Sequence, residues 1–265
     1  SVCAFKRKIK IRFIKMEHQD NYNNELIYGI HPVLEALEAG KTLDKIFILN
    51  TLQTPQSKII TTYARDKKIS LNRVPLAKLQ KMTRQNHQGV VAFMAPIDFL
   101  DLETELRKME IKGIVPFILV LDRISDVRNF GAIIRTAECA GVNLVVIPKK
   151  GGAHVNSEST KTSAGALFNI PICKVAGVDN AMDVLKEKGV KLVACTEKNS
   201  ENYTEFDYTQ PVAIVMGSEE SGIAWSNIKK CDFKAGIPLL GKTESLNVSV
   251  AAGILMYEVV KQRGV

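Results

Sequence analysis

The sequence predicts an α/β protein in two unequal parts, a small α/β domain followed by a larger domain built on a mostly parallel sheet covered by helices. Three observations carry this expectation. Strand-like and helix-like patterns alternate from Tyr28 to the C-terminus, as they do when helices cross over between parallel strands. Apolar runs of the second half, such as Phe117–Leu121 and Val212–Met216, are continuous rather than alternating, which suits strands buried on both faces. Pro96 and a charge-rich stretch after it divide the two halves.

Residues 1–25 read as a basic and polar extension. Lys6, Arg7, Lys8, Lys10, Arg12 and Lys15 lie there without the continuous apolar core of a signal peptide. The segment is either a basic RNA-binding arm or an extension upstream of a start at Met16, and the polar lead-in from Glu17 to Glu25 favours the second. In the small domain, residues 26–96, His31–Ala39 reads as a helix closed by Gly40, Lys45–Leu49 as a strand and Ser57–Lys67 as a helix. Leu76–Met82 is a short helix and Val90–Met94 an apolar strand, after which Pro96 ends the domain. Residues 97–112 form a charge-rich, partly helical linker.

The larger domain, residues 113–265, carries six strand candidates: Phe117–Leu121, Leu144–Ile147, Ile172–Val175, Leu192–Cys195, Val212–Met216 and Phe233–Ile237. A helix starts near Asn129, with Ile133, Ile134 and Ala137 inward and Arg135 close enough to them to be partly buried. Val248, Ala251, Ala252, Leu255 and Val259 follow the i, i+3, i+4, i+7 spacing of a buried last helix, Val248–Val260. A dinucleotide-binding fold would be the default for this alternation, but the first strand lacks the G-x-G-x-x-G turn. Gly217-Ser-Glu-Glu-Ser-Gly222 has the glycine spacing of a phosphate loop, yet Ile223 and Ala224 stand where Lys and Ser/Thr are needed. The acidic pair Glu219-Glu220 would also repel phosphates, so nucleoside triphosphate binding is disfavoured.

Composition narrows the partner class. Lys plus Arg number 36 against 28 for Asp plus Glu, a net charge of +8, which suits a polyanion as well as an ordinary basic surface. Cys3, Cys139, Cys173, Cys195 and Cys231 are scattered without a CxxC pair, and three sit among apolar neighbours, as small buried thiols of a reducing cytoplasm do. His18, His31, His87 and His154 have no metal-ligand spacing, so no metal is expected. No apolar run approaches the roughly 20 residues of a membrane span; the longest, Ile114–Leu121, is interrupted by Pro116.

Three segments place polar groups at the mouths of apolar elements: Asn129-Phe-Gly-Ala-Ile-Ile-Arg135-Thr-Ala137, then Val212-Ala-Ile-Val-Met-Gly217-Ser-Glu219-Glu-Ser-Gly222, then Ile237-Pro-Leu-Leu-Gly-Lys-Thr-Glu-Ser245-Leu-Asn247-Val-Ser-Val-Ala-Ala252. Together they suggest one composite site. Each residue also has a plainer role: Asn129 as a helix N-cap, Arg135 as a surface arginine, Ser245 and Asn247 as caps of the last helix, Ile237 and Leu246 as core.

These segments resemble the three motifs of the SpoU/TrmH family of RNA ribose 2'-O-methyltransferases, in the SPOUT superfamily. The resemblance runs from about Leu26 onward. Tyr28-Gly-Ile-His-Pro-Val-Leu-Glu-Ala-Leu and His87-Gln-Gly-Val-Val-Ala resemble the small RNA-binding domain of the bacterial large-subunit rRNA guanosine methyltransferase subgroup. The resemblance implies a C-terminal SPOUT domain with a deep trefoil knot, S-adenosylmethionine as cofactor, a homodimer and structured RNA, most of all ribosomal RNA, as partner. The implied reaction is methyl transfer to a ribose 2'-hydroxyl, of guanosine in 23S-type rRNA; a tRNA target, an antibiotic-resistance rRNA methyltransferase and a non-catalytic ribosome-assembly protein are the alternatives.

The implied catalytic set is Arg135, Asn129, Glu219, Ser245 and Asn247, and the implied cofactor slot is Gly217, Ile237 and Leu246, with Thr196 beside it and Ser249 as a further candidate. A guanidinium stays protonated, so Arg135 is expected to bind the target phosphate and ribose oxygen and stabilise the developing alkoxide rather than act as a base. Glu219 is expected to brace Arg135; Glu220 stands where the family often has glycine. Lys149, Lys150, Lys161 and Lys242 would meet phosphates, Gly151, Gly152 and Gly165 would let a loop move, and Lys78, Lys81 and Arg84 would extend the basic surface of the small domain.

Overall fold

Strand β4 (Val90–Met94) shows how the small unit is built: Val90 and Ala92 face one side of its sheet and Val91 and Phe93 the other, the two-residue period of a strand buried on both faces. The computed structural model describes residues 26–67, 69–153, 155–198 and 200–264. The extension at 1–25, with Cys3 and His18, and His154 lie outside the described residues. Around β4 stand β1 (Leu26–Tyr28), β2 (Leu43–Leu49) and β3 (Ser70–Val74), in the order β1-β4-β2-β3. Helices α1 (Ile30–Glu38) and α2 (Pro55–Asp66) cover one face through Val33, Leu37 and Ile60; α3 (Leu76–Met82) covers the other through Leu79. Helix α2 begins before the expected Ser57 because Thr54 accepts the Ser57 N–H at 3.2 Å and Pro55 follows it, a favourable cap and first helical residue.

The expected linker is largely helix. Asp101 caps α4 (Leu102–Ile111) by accepting the Thr104 N–H at 3.1 Å. Leu102, Leu106 and Met109, on one stripe of α4, are buried against Ile118, Val120 and Leu144 of the larger unit. Of the charges that suggested a solvated connector, Glu103, Arg107, Lys108 and Glu110 are exposed on the rest of this amphipathic helix, while Glu105 is buried and accepts from Lys108 Nζ at 2.7 Å. Leu100 also joins the larger unit, its N–H donating to Ile172 O at 2.9 Å.

The larger unit runs β5 (Phe117–Asp122), α5 (Val127–Cys139), β6 (Leu144–Pro148), α6 (Ser157–Thr162), β7 (Ile172–Val175), α7 (Val178–Glu187), β8 (Lys191–Cys195), β9 (Glu201–Asn202), β10 (Val212–Gly217), α8 (Trp225–Ile228), β11 (Phe233–Gly236) and α9 (Val248–Arg263). Its seven strands are all parallel, in the order β7-β6-β5-β10-β8-β11-β9. Side chains of β5 alternate between two cores: Leu119 and Leu121 meet α5 and α9, while Ile118 and Val120 meet α4 and α7. This is the expected α/β class, a parallel-sheet domain following a small α/β domain. The last helix is anchored by Arg263, which donates to the carbonyls of Val115, Pro116, Tyr208 and Gln210.

Lys174 links the two units. Its Nζ donates to Asp44 Oδ1 at 2.5 Å and to the Asp44 carbonyl at 3.1 Å, and lies 4.5 Å from the Phe99 ring centroid. Both side chains are buried, at 7% and 0% exposure.

The strand order decides where a site forms. Strands β5, β10, β8 and β11 are neighbours, so the loops leaving their carboxyl ends lie side by side. Those loops are 123–126, 218–224, the segment from 196 to 198, and 237–247. Open parallel sheets bind ligands at that edge.

Candidate active site

The N-terminal turns of α5 and α9 meet the β10–α8 loop at this edge. Asp126 caps α5, accepting the Asn129 backbone N–H at 2.7 Å. Asn129 is therefore not the cap, and its side chain is available for another partner. Asn247 does cap α9: its Oδ1 accepts the Ser249 N–H at 2.9 Å and the Ser249 hydroxyl at 2.5 Å.

The same Asn247 reaches out with its other end. Its Nδ2 donates to Glu219 Oε1 at 2.7 Å and to Asn129 Oδ1 at 3.1 Å. A carboxylate only accepts, so Glu219 fixes which end of the amide faces it. Glu219 Oε1 also lies 3.4 Å from the Val248 N–H, where the positive end of the helix dipole favours an anion. The structure thus gathers Asn129, Glu219, Asn247 and Ser249 from three separate motifs. Glu220 is exposed beside them.

Arg135 is placed otherwise than expected. It is exposed rather than partly buried, and among the described residues it has no hydrogen bond or ion pair, with Glu219 or any other group. Helix geometry explains this: adjacent residues turn by about 100°, so the neighbour of buried Ile134 faces away, and Arg135 lies about 120° around α5 from Asn129 and about 9 Å along it. Ser245 is exposed in the 237–247 segment, and no hydrogen bond among the described residues joins it to the cluster.

The expected cofactor residues surround the edge unevenly. Gly217 ends β10 and is buried, but the close approach it permits is to its own chain: a Cβ there would stand 2.1 Å from Gly222 C and Ile223 N. Ile237 packs against the core beneath α9, whereas Leu246 is 37% exposed and Leu240 fully so. Thr196 receives the Lys198 N–H on its hydroxyl at 3.2 Å and donates its own N–H to Ala235 O at 3.1 Å, tying β8 to β11. Lys150, Lys161 and Lys242 are exposed, and Lys149 lines a cavity between the two units. Of the small-domain cations, Lys78, Lys81 and Arg84 are exposed on or just beyond α3. The His87–Gly89 turn spends its polar groups internally: His87 Nδ1 accepts the Gly89 N–H and Gln88 Oε1 accepts the Ile30 N–H.

Cavities of about 540 and 710 Å³ lie at the seam of the two units, and neither is lined by Asn129, Arg135, Gly217, Glu219 or residues 237–247. The site is instead an open edge of irregular backbone with exposed leucines. Among the described residues no cluster of His, Cys, Asp and Glu could hold a metal ion, and no helix is long and apolar enough to cross a membrane.

Sequence reasoning passed over Asp122, Asp126 and Gly131. Asp126, three residues before Asn129, carried a readable capping signal. Gly131 lies against α6, where a Cβ would come 1.9 Å from Thr162 Oγ1. Nothing in the sequence marked that contact, since α6 was not anticipated.

Comparison with known proteins gives one answer for each unit. The profile described as RNA 2'-O ribose methyltransferase substrate binding matches residues 26–100, and that of the SpoU rRNA Methylase family matches residues 116–257. A Staphylococcus saprophyticus protein assigned to the TrmH family of tRNA/rRNA methyltransferases is 37% identical over 238 residues, 90% of this chain and 96% of its own length. The AdoMet-bound rRNA methyltransferase of Sinorhizobium meliloti is 26% identical, with a TM-score of 0.56, covering 89% of this chain and 86% of its own. The A. aeolicus TrmH/SpoU tRNA modifying enzyme is 32% identical, with a TM-score of 0.52, and covers 62% of this chain and 85% of its own.

Proposed function

The chain belongs to the SpoU rRNA methylase family, S-adenosylmethionine-dependent RNA 2'-O-ribose methyltransferases, and on that premise we propose that its target is a guanosine in 23S-type large-subunit ribosomal RNA. The observation that carries the choice of rRNA is coverage. The rRNA methyltransferase from Sinorhizobium meliloti spans 89% of this chain, both units included, whereas the tRNA modifying enzyme from A. aeolicus spans 62%.

The sheet edge fits the cofactor. Segments 196–198, 218–224 and 237–247 follow adjacent parallel strands, so irregular backbone with its N–H and C=O groups outside the sheet ladder converges there. The adenine edge needs such groups, and its faces need apolar walls, which Ile237 and the exposed Leu246 would supply. Gly217 serves this slot by letting the 218–222 turn fold tightly against β10. Thr196 flanks it. S-adenosylmethionine supplies a methyl group already activated by its sulfonium.

The protein's share is then to hold the 2'-oxygen in line and stabilise charge developing on it. Glu219 locks the Asn247 amide; Asn129 and Asn247 orient the ribose, with Ser245 and Ser249 as neighbouring hydroxyls. Arg135 binds the target phosphate and the developing alkoxide. It faces away from the cluster of its own chain, so the complete site takes Arg135 from a second copy across a homodimer interface. Val250 and Tyr257 on α9 and Leu239 and Leu240 before it are exposed large apolar groups that such an interface would cover. The deep trefoil knot belongs to the same reading, as does a cytoplasmic location. Lys78, Lys81, Arg84, Lys150, Lys161 and Lys242 provide phosphate contacts. A ribosome-assembly protein without catalysis would have no use for an amide locked by a carboxylate.

Mapping 2'-O-methyl groups in total cellular RNA with and without the gene tests the target. The expected result is loss at a single guanosine of the large-subunit rRNA. Loss in tRNA instead would overturn the rRNA assignment and leave the chemistry standing.

A further inference from the structure

Arg123 occupies a backbone region that few non-glycine residues enter, with φ of 63°. Such a conformation is strained for a residue with a side chain and persists where surrounding contacts impose it. The contacts here point to the turn that carries Glu219. Arg123 Nη2 donates to the Gly222 carbonyl at 3.1 Å, and its Nε stands 3.4 Å from Asp122 Oδ1. Asp122 is 4% exposed, and its other oxygen accepts the Ala224 N–H at 2.7 Å and Asn227 Nδ2 at 3.1 Å. One residue pair at the end of β5 therefore grips the chain at Gly222, Ala224 and Asn227.

The turn between Ser218 and Gly222 is closed at its base by the Gly222 N–H donating to Ser218 O at 2.8 Å. Ser218 and Ser221 hydroxyls lie 2.8 Å apart across it. Asp122 pairs in register with Gly217, so β5 and β10 end level and the turn projects directly beyond them. Glu219, at the tip, must reach Asn247 at 2.7 Å. A small rotation at Gly222, whose own φ of 63° makes it a natural pivot, would separate them.

We propose that Asp122 and Arg123 are positioning residues of the transfer site, clamping the exit of the Ser218–Gly222 turn so that Glu219 stays on Asn247. The proposal rests on the function assigned above. Neither residue touches the reacting atoms; both act through Glu219.

Arg123→Gly is the informative variant, because glycine relieves the left-handed strain while removing the guanidinium, whereas Asp122→Ala risks unfolding. The expected result is a folded dimer with a thermal midpoint within a few degrees of wild type and unchanged S-adenosylmethionine affinity by calorimetry. kcat should fall at least tenfold with little change in KM for RNA, with partial recovery on adding free guanidinium or in Arg123→Lys. Adding Arg123→Gly to Glu219→Ala should cost little more than Glu219→Ala alone, since both break the same link. Amide exchange at Gly222 should accelerate at least tenfold. Wild-type kcat in Arg123→Gly, fully multiplicative losses in the double variant, or unchanged exchange at Gly222 would each overturn the proposal. A wild-type protein that methylates no RNA would overturn the functional reading instead, and exchange at Gly222 would still decide the clamp.

Discussion

Replacing Asn247 separates structural capping from chemistry, because its two ends do different things. Its Oδ1 accepts from Ser249 and caps α9, while its Nδ2 donates to Glu219 and Asn129. Asn247→Ala removes both. Loss of the cap is worth about 1 kcal/mol, which for a chain of this size lowers the thermal midpoint by about 2–4 °C. Asn247→Ser keeps a capping oxygen, so its stability should stay within a few tenths of a kcal/mol of wild type. Its shorter side chain cannot reach Glu219 and Asn129 while it caps. Both variants should therefore lose methylation by about a hundredfold, the scale of removing one preorganised polar group from a transition-state site. Thermal melts alongside single-turnover methylation at saturating RNA and cofactor measure the two effects. If the serine variant methylates at the wild-type rate, Asn247 is only a helix cap and the cluster is not the catalytic arrangement.

Arg135→Ala should leave the melting curve unchanged, since the residue is exposed and among the described residues unpaired, and should keep cofactor binding by calorimetry. Its turnover should drop about a hundredfold or more, and lysine should restore little because a point charge lacks the planar fork; near wild-type turnover at saturating RNA would reduce Arg135 to a binding residue. A fragment of residues 97–265 should fold and bind S-adenosylmethionine, whereas 113–265 should not fold. Leu102, Leu106 and Met109 would be absent from the shorter fragment, a loss of about 5–9 kcal/mol at the usual value per buried apolar side chain and comparable to a whole domain's stability. Circular dichroism melts of the two fragments decide this, and equal stability would refute it. Burial pushes the thiols of Cys173, Cys195 and Cys231 up to about 12 from 9.0. Above pH 9 the unfolded chain releases these protons while the folded chain retains them, so stability, fully present below pH 9, should fall as pH rises toward 12. Urea midpoints from pH 8 upward would show it, and a flat profile would count against it.

The parallel sheet was legible because its strands are continuous apolar runs bounded by polar loops. Short or polar edge strands such as β1, β3 and β9 were not, since Ser70-Leu-Asn-Arg-Val gives no alternation to follow. Helix α7 was readable in principle from Val178, Ala181, Met182 and Leu185, which share one buried stripe. At the site, the motif residues Asn129, Glu219 and Asn247 were identifiable one by one, but their contacts depend on strand order, which local patterning does not encode. Arg135 misled because a neighbour in sequence of Ile134 is not its neighbour on the helix surface. Gly217 was read as part of a cofactor slot, whereas the group packed against it is Gly222 and Ile223 backbone, a turn geometry that glycine spacing alone does not specify.

The central claim, methyl transfer to a ribose 2'-oxygen of RNA, has a direct chemical readout. Purified protein is incubated with S-adenosylmethionine labelled in its methyl group and large-subunit rRNA, and the RNA is then hydrolysed in alkali. Alkaline cleavage needs a free 2'-oxygen as nucleophile, so a methylated ribose leaves its phosphodiester intact. The label is expected in an alkali-resistant dinucleotide and to disappear in Asn247→Ser; label in ordinary mononucleotides, meaning base methylation, or no transfer to any RNA would contradict the account.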